Sequence, residues 1–279
     1  MPIVFCNSND KTYQRGLNAL LFQVFFDFSF WYNLNLWDER YESYAIVEDG
    51  RFVSNICVFK TRILWRGRPC LALSLGAVCT DPQYRGRGHA RTLMEHVLGR
   101  YPDTPMYLSA NEGVLDFYPR FGFRRVFEKQ PALACSIDND CRPVRLAFDD
   151  PKVTAYVRGR RIFSTIVDCA NADTVTLFHI HLGPYKDCLY ELADCGVLLV
   201  ASQEEETLSL HGAFAPRPVA WSELVPRLPF AGVRRVEFGF APDVLGAPFH
   251  WEEVAGDPLF VRGVDCDLGD FKFPDLCFT

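Results

Sequence analysis

Apolar side chains recur along the first half of the chain with spacings that alternate between those of strands and helices. Residues 3–6 form a short β-rich run, and residues 12–28 carry apolar side chains at near-helical intervals. Two further apolar runs, at 44–47 and 52–59, flank an Asp-Gly pair, which is a strong signal for a tight hairpin turn. The pattern therefore predicts a strand, a helical segment and then a β-hairpin.

The next predicted strand, residues 71–79, leads through a turn into an amphipathic helix. This strand alternates larger with smaller side chains, so its two faces must meet different neighbours. A strand at 106–110, a short helix at 114–118 and a strand that opens at Gly122 follow. The helix after the turn places five apolar residues on one face, namely Ala90, Leu93, Met94, Val97 and Leu98.

The second half mixes strand and helix patterns again, without an exact internal repeat. Clustered Asp, Asn and Pro at 139–151 mark the predicted boundary, which gives two domains at 1–138 and 139–279. A helix is predicted around Trp221 and Leu228. Strands are predicted at 175–181, 197–201, 207–211 and 235–240. We therefore expect an α/β fold of the α+β mixed-sheet kind in both halves.

Composition and charge narrow the class of protein and its partners. Of the 279 residues, 49% are hydrophobic and 23% are charged, which excludes a disordered chain. A net charge of −6 disfavours nucleic-acid binding and suits a cationic substrate. The most apolar stretch, 17–37, contains too many polar residues for a membrane span. The eleven cysteines lack any Cys-x-x-Cys pair, and the N-terminus lacks a secretory pattern, so we expect a cytoplasmic protein with reduced thiols.

The strongest chemical signal is Gln83-x-x-Gly86-x-Gly88, between the strand at 71–79 and the amphipathic helix. Glycines let the backbone approach a ligand, and the free N–H groups at a helix start attract anions, so the turn suits a diphosphate. Arg85, Arg87 and Arg91 add local positive charge to an otherwise acidic chain. The alternative is an ordinary glycine turn with solvated arginines.

This turn resembles the acetyl-CoA signature of the GNAT N-acetyltransferase superfamily, Gln/Arg-x-x-Gly-x-Gly/Ala after the fourth strand. Residues 109–123 resemble a second block of that family, in which an Asn-bearing loop precedes a Phe-Tyr and a Gly-Phe pair. The resemblance covers about residues 1–138. The local sequence is similar to that of the enhanced-intracellular-survival branch, whose chains carry further modules. It implies an N-terminal GNAT fold followed by a degenerate GNAT-like α/β module.

The resemblance also implies a site for acetyl-CoA as co-substrate. Tyr118 matches the residue that protonates the departing thiolate, and a phenol with a pKa of about 10 can do so because a thiol titrates at about 8.5. The alternative for Tyr118 is simple aromatic packing. The implied cofactor residues are Val78, Cys79 and Thr80 for the pantetheine arm, Arg85, Gly86, Arg87, Gly88, His89, Ala90 and Arg91 for the pyrophosphate, and Asn111 and Glu112 in the cofactor-side loop.

The expected activity is direct transfer of an acetyl group from acetyl-CoA to a primary amine of a small molecule or peptide. An acyl-CoA-binding sensor is the alternative, and a scaffold with a vestigial site is a third. We expect the aromatic residues at 25–37 to give one or two side chains to the acceptor pocket and the rest to the core. The general base is left open among Glu112, Asp116, Asp38, Glu39, Glu42, a water chain and the C-terminal carboxylate of Thr279.

Two further expectations concern metals and the second half of the chain. His179 and His181 would share one face of the predicted strand at 175–181, but nothing fixes a third ligand, so we expect a structural role and no metal. The second half has no equivalent of the glycine signature and could complete the acceptor pocket or support a homo-oligomer. We expect no nucleic-acid and no membrane partner.

Overall fold

The chain folds into two mixed β-sheets with helices packed against them. The computed structural model describes residues 2–7, 9–141, 144–254, 256, 258–264 and 267–278. The helices within these ranges are α1 Lys11–Val24, α2 Ser29–Asn33, α3 His89–Arg100, α4 Pro151–Gly159, α5 Asp173–Leu182 and α6 Trp221–Leu224. The strands are β1 Ile3–Cys6, β2 Tyr41–Glu48, β3 Arg51–Trp65, β4 Arg68–Thr80, β5 Met106–Ser109, β6 Arg124–Val126, β7 Lys129–Ile137, β8 Val144–Arg145, β9 Val167–Cys169, β10 Leu189–Leu192, β11 Val197–Glu204, β12 Thr207–Phe214, β13 Val233–Phe238, β14 His250–Glu253 and β15 Leu259–Arg262.

The first sheet has the strand order β1-β2-β3-β4-β5-β15-β6, with β9 paired to the end of β3. The predicted hairpin between β2 and β3 is confirmed, and both turn residues, Asp49 and Gly50, have positive φ. Strands β4 and β5 run parallel and pair at Leu73 with Met106 and at Ser74 with Tyr107. Beyond Ser74, β4 continues without β5 as its partner, and a cleft opens between the two strands.

The second sheet repeats this arrangement with the strand order β14-β7-β13-β12-β11-β10-β8. Its parallel pair is β12 with β13, where Leu208 lies opposite Val236. The core of this half is built on inward-facing residues of β11, β12 and β13, together with Trp221 and Leu224 of α6. The predicted α/β class with mixed sheets is confirmed.

Besides the pairing of β9 with β3, the two sheets exchange one strand each at equivalent positions. Strand β15, from near the end of the chain, inserts between β5 and β6 and pairs antiparallel with both. Strand β7 inserts in the same way between β13 and β14 of the second sheet. The division predicted at residues 138 and 139 stays a prediction for the domains, but it does not separate the strands of the two sheets. Residues from both halves therefore shape each sheet.

One predicted element has the wrong type. Residues 175–181 were expected to form a strand because they are rich in β-branched and aromatic side chains, yet they lie in α5. Residues two apart lie on nearly opposite sides of a helix, so His179 and His181 do not share a face. His179 Nε2 lies 2.7 Å from the carbonyl oxygen of Phe278, and His181 packs edge-on against Phe148. The short helix expected at 114–118 is a pair of 3-10 turns, at Glu112–Val114 and Tyr118–Phe121.

Candidate active site

A cleft of about 1030 Å³ lies where β4 and β5 separate. One wall is the second half of β4, from Leu75 to Thr80, and the other contains Ser109 and Ala110 at the end of β5. The turn before α3 closes one end of the cleft. The connection between α1 and α2 forms the other end, together with α5 from the second half of the chain. The cleft thus joins the glycine turn to side chains from both halves.

A β-bulge in β4 turns the backbone toward the cleft. Asn55 of β3 pairs with Cys79 whereas Cys57 pairs with Gly76, so β4 carries one extra residue at this point. Ala77 in the bulge has φ 47°, which is uncommon for a residue with a side chain. The Asn55 Nδ2 group donates a hydrogen bond to the Ala77 carbonyl oxygen at 3.0 Å and holds the bulge in place. The sequence did not predict a role for Asn55 or Ala77, because the alternation of side chains along β4 does not indicate a bulge.

The glycine turn presents open backbone to the cleft. Gly86 and Gly88 have φ values of 78° and 84°, and a Cβ atom built on either would meet nothing within 4 Å. Gly88 is the N-cap of α3, so the free N–H groups of the first helical turn begin here. Such a helix start favours a bound anion, and Arg85 and Arg91 line the same part of the cleft. The residues present therefore fit a diphosphate group.

Most of the predicted cofactor residues lie along this cleft. Arg87 does not line it, because its guanidinium group stacks on the Tyr84 ring at 4.6 Å and lies 3.5 Å from Glu48. Glu112 is exposed on a 3-10 turn and is also absent from the lining. The predicted residues that line the cleft are Val78, Cys79, Thr80, Arg85, Gly86, Gly88, His89, Ala90, Arg91 and Asn111.

Tyr118 lines the cleft from the segment that follows β5. Its side chain is 5% exposed and packs against Phe117, Phe123 and Phe260. Burial raises the pKa of Tyr118 to about 12, which keeps the phenol protonated at neutral pH. Within the described residues the hydroxyl group has no hydrogen-bond partner. Tyr118 can therefore donate its proton to a group bound in the cleft.

None of the carboxylates proposed as general base lines the cleft in the described part of the chain. Glu42 accepts hydrogen bonds from Lys60 and Tyr44, which hold it away from the cleft. Asp38 is paired with Arg40, which also binds Asp173. Glu39, Glu112 and Asp116 are exposed outside the lining. Thr279, whose carboxylate was the remaining candidate, lies outside the described residues.

The far end of the cleft is apolar and aromatic. From the segment at 25–37, more side chains line it than the one or two expected, namely Phe25, Phe26, Phe28 and Trp31. Phe178 and Leu182 of α5 face them from the second half of the chain, and Phe278 lies beside them. Tyr32 and Trp37 are buried in the core as expected. The contribution of α5 could not be foreseen from a segment predicted to be a strand.

The described residues also bear on metal binding, membrane crossing and thiol chemistry. No group of three or more His, Cys, Asp or Glu side chains there could hold a metal ion. None of the described helices is both long enough and apolar enough to cross a membrane. The described cysteines other than Cys6 are free thiols.

Comparison with known proteins agrees with this geometry. A probable N-acyltransferase from Enterococcus faecalis V583 is 14% identical, with a TM-score of 0.61 over 94% of this chain and 73% of its own. Eis1 from Mycobacterium abscessus is 15% identical, with a TM-score of 0.61 over 95% of this chain and 74% of its own. A GCN5-related N-acetyltransferase from Anabaena variabilis ATCC 29413 is 11% identical, with a TM-score of 0.56 over 94% and 72%.

At these identities the likeness concerns the fold. A comparison with curated proteins finds no match. Residues 13–126 match the family described as an acetyltransferase (GNAT) domain, and this range includes the bulged strand, the glycine turn and Tyr118. Residues 13–126 therefore match a GNAT acetyltransferase domain, and the two-sheet fold resembles that of the E. faecalis N-acyltransferase and Eis1 structures.

Proposed function

We propose that the protein is an N-acetyltransferase that transfers the acetyl group of acetyl-CoA directly to a primary amine of a small molecule or peptide. Acyl transfer is the chemistry of the family whose domain the chain carries. One observation supports the finer proposal most strongly: the open glycine turn, the β4 bulge and Tyr118 share a single cleft.

The backbone supplies the cofactor contacts in this proposal. The N–H groups of residues 86–91 hold the pyrophosphate, with Arg85 and Arg91 beside it. Val78, Cys79 and Thr80 pair with the pantetheine arm as an added strand would. Asn111 lines the same end of the cleft. Arg87 and Glu112, which do not line the cleft, play at most an indirect part.

The chemical step needs one acid and an oriented backbone donor. The amine nitrogen attacks the thioester carbon, the new C–N bond forms and the C–S bond breaks. A backbone N–H near Val78, next to the bulge, stabilises the charge that develops on the thioester oxygen. Tyr118 gives its proton to the departing thiolate. The amine must arrive neutral, and after the attack its nitrogen loses one proton through water, which restores the proton on Tyr118, since no described carboxylate lines the cleft.

An acyl-CoA-binding sensor is the second candidate, and the same absence of a carboxylate among the described lining residues favours it. The free thiols suit a cytoplasmic location for either function. Calorimetric titration with acetyl-CoA, followed by thiol release across a panel of amines with product masses, separates the candidates. Binding with acetylated product supports the enzyme, whereas binding without product for any amine supports the sensor. Failure to bind acetyl-CoA excludes both and leaves a scaffold.

A further inference from the structure

The apolar end of the cleft is an aromatic wall assembled from both halves of the chain. Phe26 stacks on Phe28 with ring centroids 4.3 Å apart, and Phe28 stacks on Phe178 of α5 at 5.6 Å. Trp31 meets the Phe178 ring edge-on at 5.4 Å. We call these four residues the aromatic wall. Trp31 is buried, whereas Phe26 is 37% exposed at the mouth, so the wall runs from the surface into the cleft.

The aromatic wall has no acidic side chain beside it among the described lining residues. Asp27 lies between two wall residues in sequence, but its carboxylate is exposed and accepts hydrogen bonds from Asn18 and Ser29. The charged side chains that do line the cleft are the cations Arg85, Arg91 and Arg120. Arg85 and Arg91 are assigned to the pyrophosphate, so what the described lining lacks is a carboxylate that could pair with a substrate carrying several positive charges.

This distribution of charge determines which amines the cleft can take. An ammonium group that loses water in apolar surroundings becomes easier to deprotonate, so a single amine is delivered in its reactive neutral form. Every additional ammonium group would have to give up its hydration with no carboxylate to pair with. A bulky apolar group on the same molecule gains from burial and stacks on aromatic rings.

Building on the proposed acetyltransferase function, we propose that the acceptor is a monoamine carried on an aryl or other bulky apolar group. The aromatic wall binds that group and leaves the amine beside the bulge and Tyr118. Polycationic amines, which include polyamines and aminoglycosides, are poor acceptors for the same reason. Substrate selection in this protein thus depends on Phe178, a residue outside the acetyltransferase domain.

The test compares acceptors with the full-length protein and acetyl-CoA. The probes are 2-phenylethylamine, tryptamine, n-butylamine, spermidine and an aminoglycoside, each followed by thiol release and product mass. We expect kcat/KM for the aryl monoamines to exceed that for spermidine by at least about tenfold. A preference for spermidine or the aminoglycoside, with acetyl-CoA binding intact, overturns the inference and leaves the proposed function standing.

Variants of the wall supply the second readout. Phe178→Leu keeps an apolar side chain in the packing, and we expect it to raise KM for 2-phenylethylamine about tenfold while the Kd for acetyl-CoA stays unchanged. Phe26→Glu places a carboxylate at the exposed mouth of the cleft. It should reduce the ratio of kcat/KM for 2-phenylethylamine to that for spermidine. Phe22→Ala is the matched control, since Phe22 is 65% exposed on α1 and does not line the cleft.

Two further outcomes count against the inference. If Phe178→Leu alters KM for hexanoyl-CoA and leaves that for 2-phenylethylamine unchanged, the wall holds an acyl chain and not the acceptor. If 2-phenylethylamine changes the tryptophan fluorescence of the coenzyme A complex equally in the unmodified protein and in Trp31→Phe, the wall does not bind the aryl group. Loss of acetyl-CoA binding itself would instead refute the proposed function, and the titration detects that separately.

Discussion

The ring of Phe260 on β15 lies 5.7 Å from the ring of Tyr118, although the two residues belong to opposite halves of the chain. Phe260 is 2% exposed, and its strand pairs with β5 on one side and β6 on the other. The exchanged strand therefore forms part of the packing that positions the proposed catalytic acid.

Replacing this ring should affect both stability and turnover. Phe260→Ala leaves a cavity beside Tyr118, so we expect a loss of about 3 kcal/mol in the free energy of unfolding and a lower kcat. Urea denaturation and steady-state rates measure the two effects. Phe127→Ala, at a position 70% exposed, is the control and should change neither by much. Unchanged kcat in a destabilised Phe260→Ala protein would show that the ring does not position Tyr118.

The hydroxyl group of Tyr118 should matter to the chemical step and not to cofactor binding. We expect Tyr118→Phe to lower kcat roughly 100-fold, because a positioned acid is lost, while the Kd for acetyl-CoA is unchanged. Tyr185→Phe is a matched control, because burial also raises the pKa of Tyr185 to about 12 but its side chain lies outside the cleft. Equal rates for Tyr118→Phe and the unmodified protein would remove the acid role.

The raised pKa of Tyr118 has a consequence for the pH profile. An acid whose pKa moves from 10 to about 12 keeps its proton to higher pH, so the donor form persists through pH 10. We therefore expect kcat, measured with saturating amine between pH 7 and about pH 10, to show no alkaline decline that depends on Tyr118. A decline centred at about pH 8.5 that disappears in Tyr118→Phe would contradict this assignment.

The glycine turn offers a comparison between two residues with the same backbone conformation. Gly88 at the start of α3 and Gly50 in the β2–β3 hairpin both have positive φ and open space around a Cβ. We expect Ala at either position to cost about 1 kcal/mol of unfolding free energy. Only Gly88→Ala should also weaken acetyl-CoA binding, by about tenfold or more in calorimetry. The added Cβ would obstruct the backbone N–H groups at the start of α3, which are the proposed pyrophosphate site. Equal binding by both variants would show that the phosphates lie elsewhere.

The bulge can be tested through the side chain that holds it. Asn55→Ala removes the donor to the Ala77 carbonyl, so we expect a stability loss of about 1–3 kcal/mol and a fall in kcat of at least about tenfold. Ser43→Ala is the control, because the Ser43 hydroxyl group bonds to the opposite end of the same amide, at Oδ1. It should reduce stability with a smaller change in kcat. Similar kcat losses in both variants would argue against a specific role for the bulge.

Sequence patterns predicted which residues line the glycine end of the cleft because the information there is local. The glycines, the strand before them and the helix after them lie within one short segment, and the structure places most of the predicted residues along one cleft. The sequence did not predict that Arg87 points away from the cleft. The direction of this exposed side chain depends on Tyr84 and Glu48, which no motif specifies.

The aromatic end of the cleft, the proposed acceptor site, depends on contacts between residues far apart in sequence. Phe178 lies in a run whose β-branched residues mimic a strand, but packing against the first half selects a helix there. The hydrophobic periodicity of β15 does not specify that it pairs with β5, because a short apolar strand can pair in any sheet of matching register. The helical state of α5 and the position of β15 therefore depend on long-range contacts that local sequence patterns do not specify.

The reciprocal exchange of β7 and β15 also constrains how the protein is made. During synthesis β5 and β6 leave the ribosome long before β15, the strand that lies between them. Until then the nascent chain exposes two unpaired strand edges beside its acetyltransferase motifs. We expect the cleft to form only after β15 has been translated, so protection of the nascent chain by a chaperone matters more here than in a protein whose sheets close in sequence order.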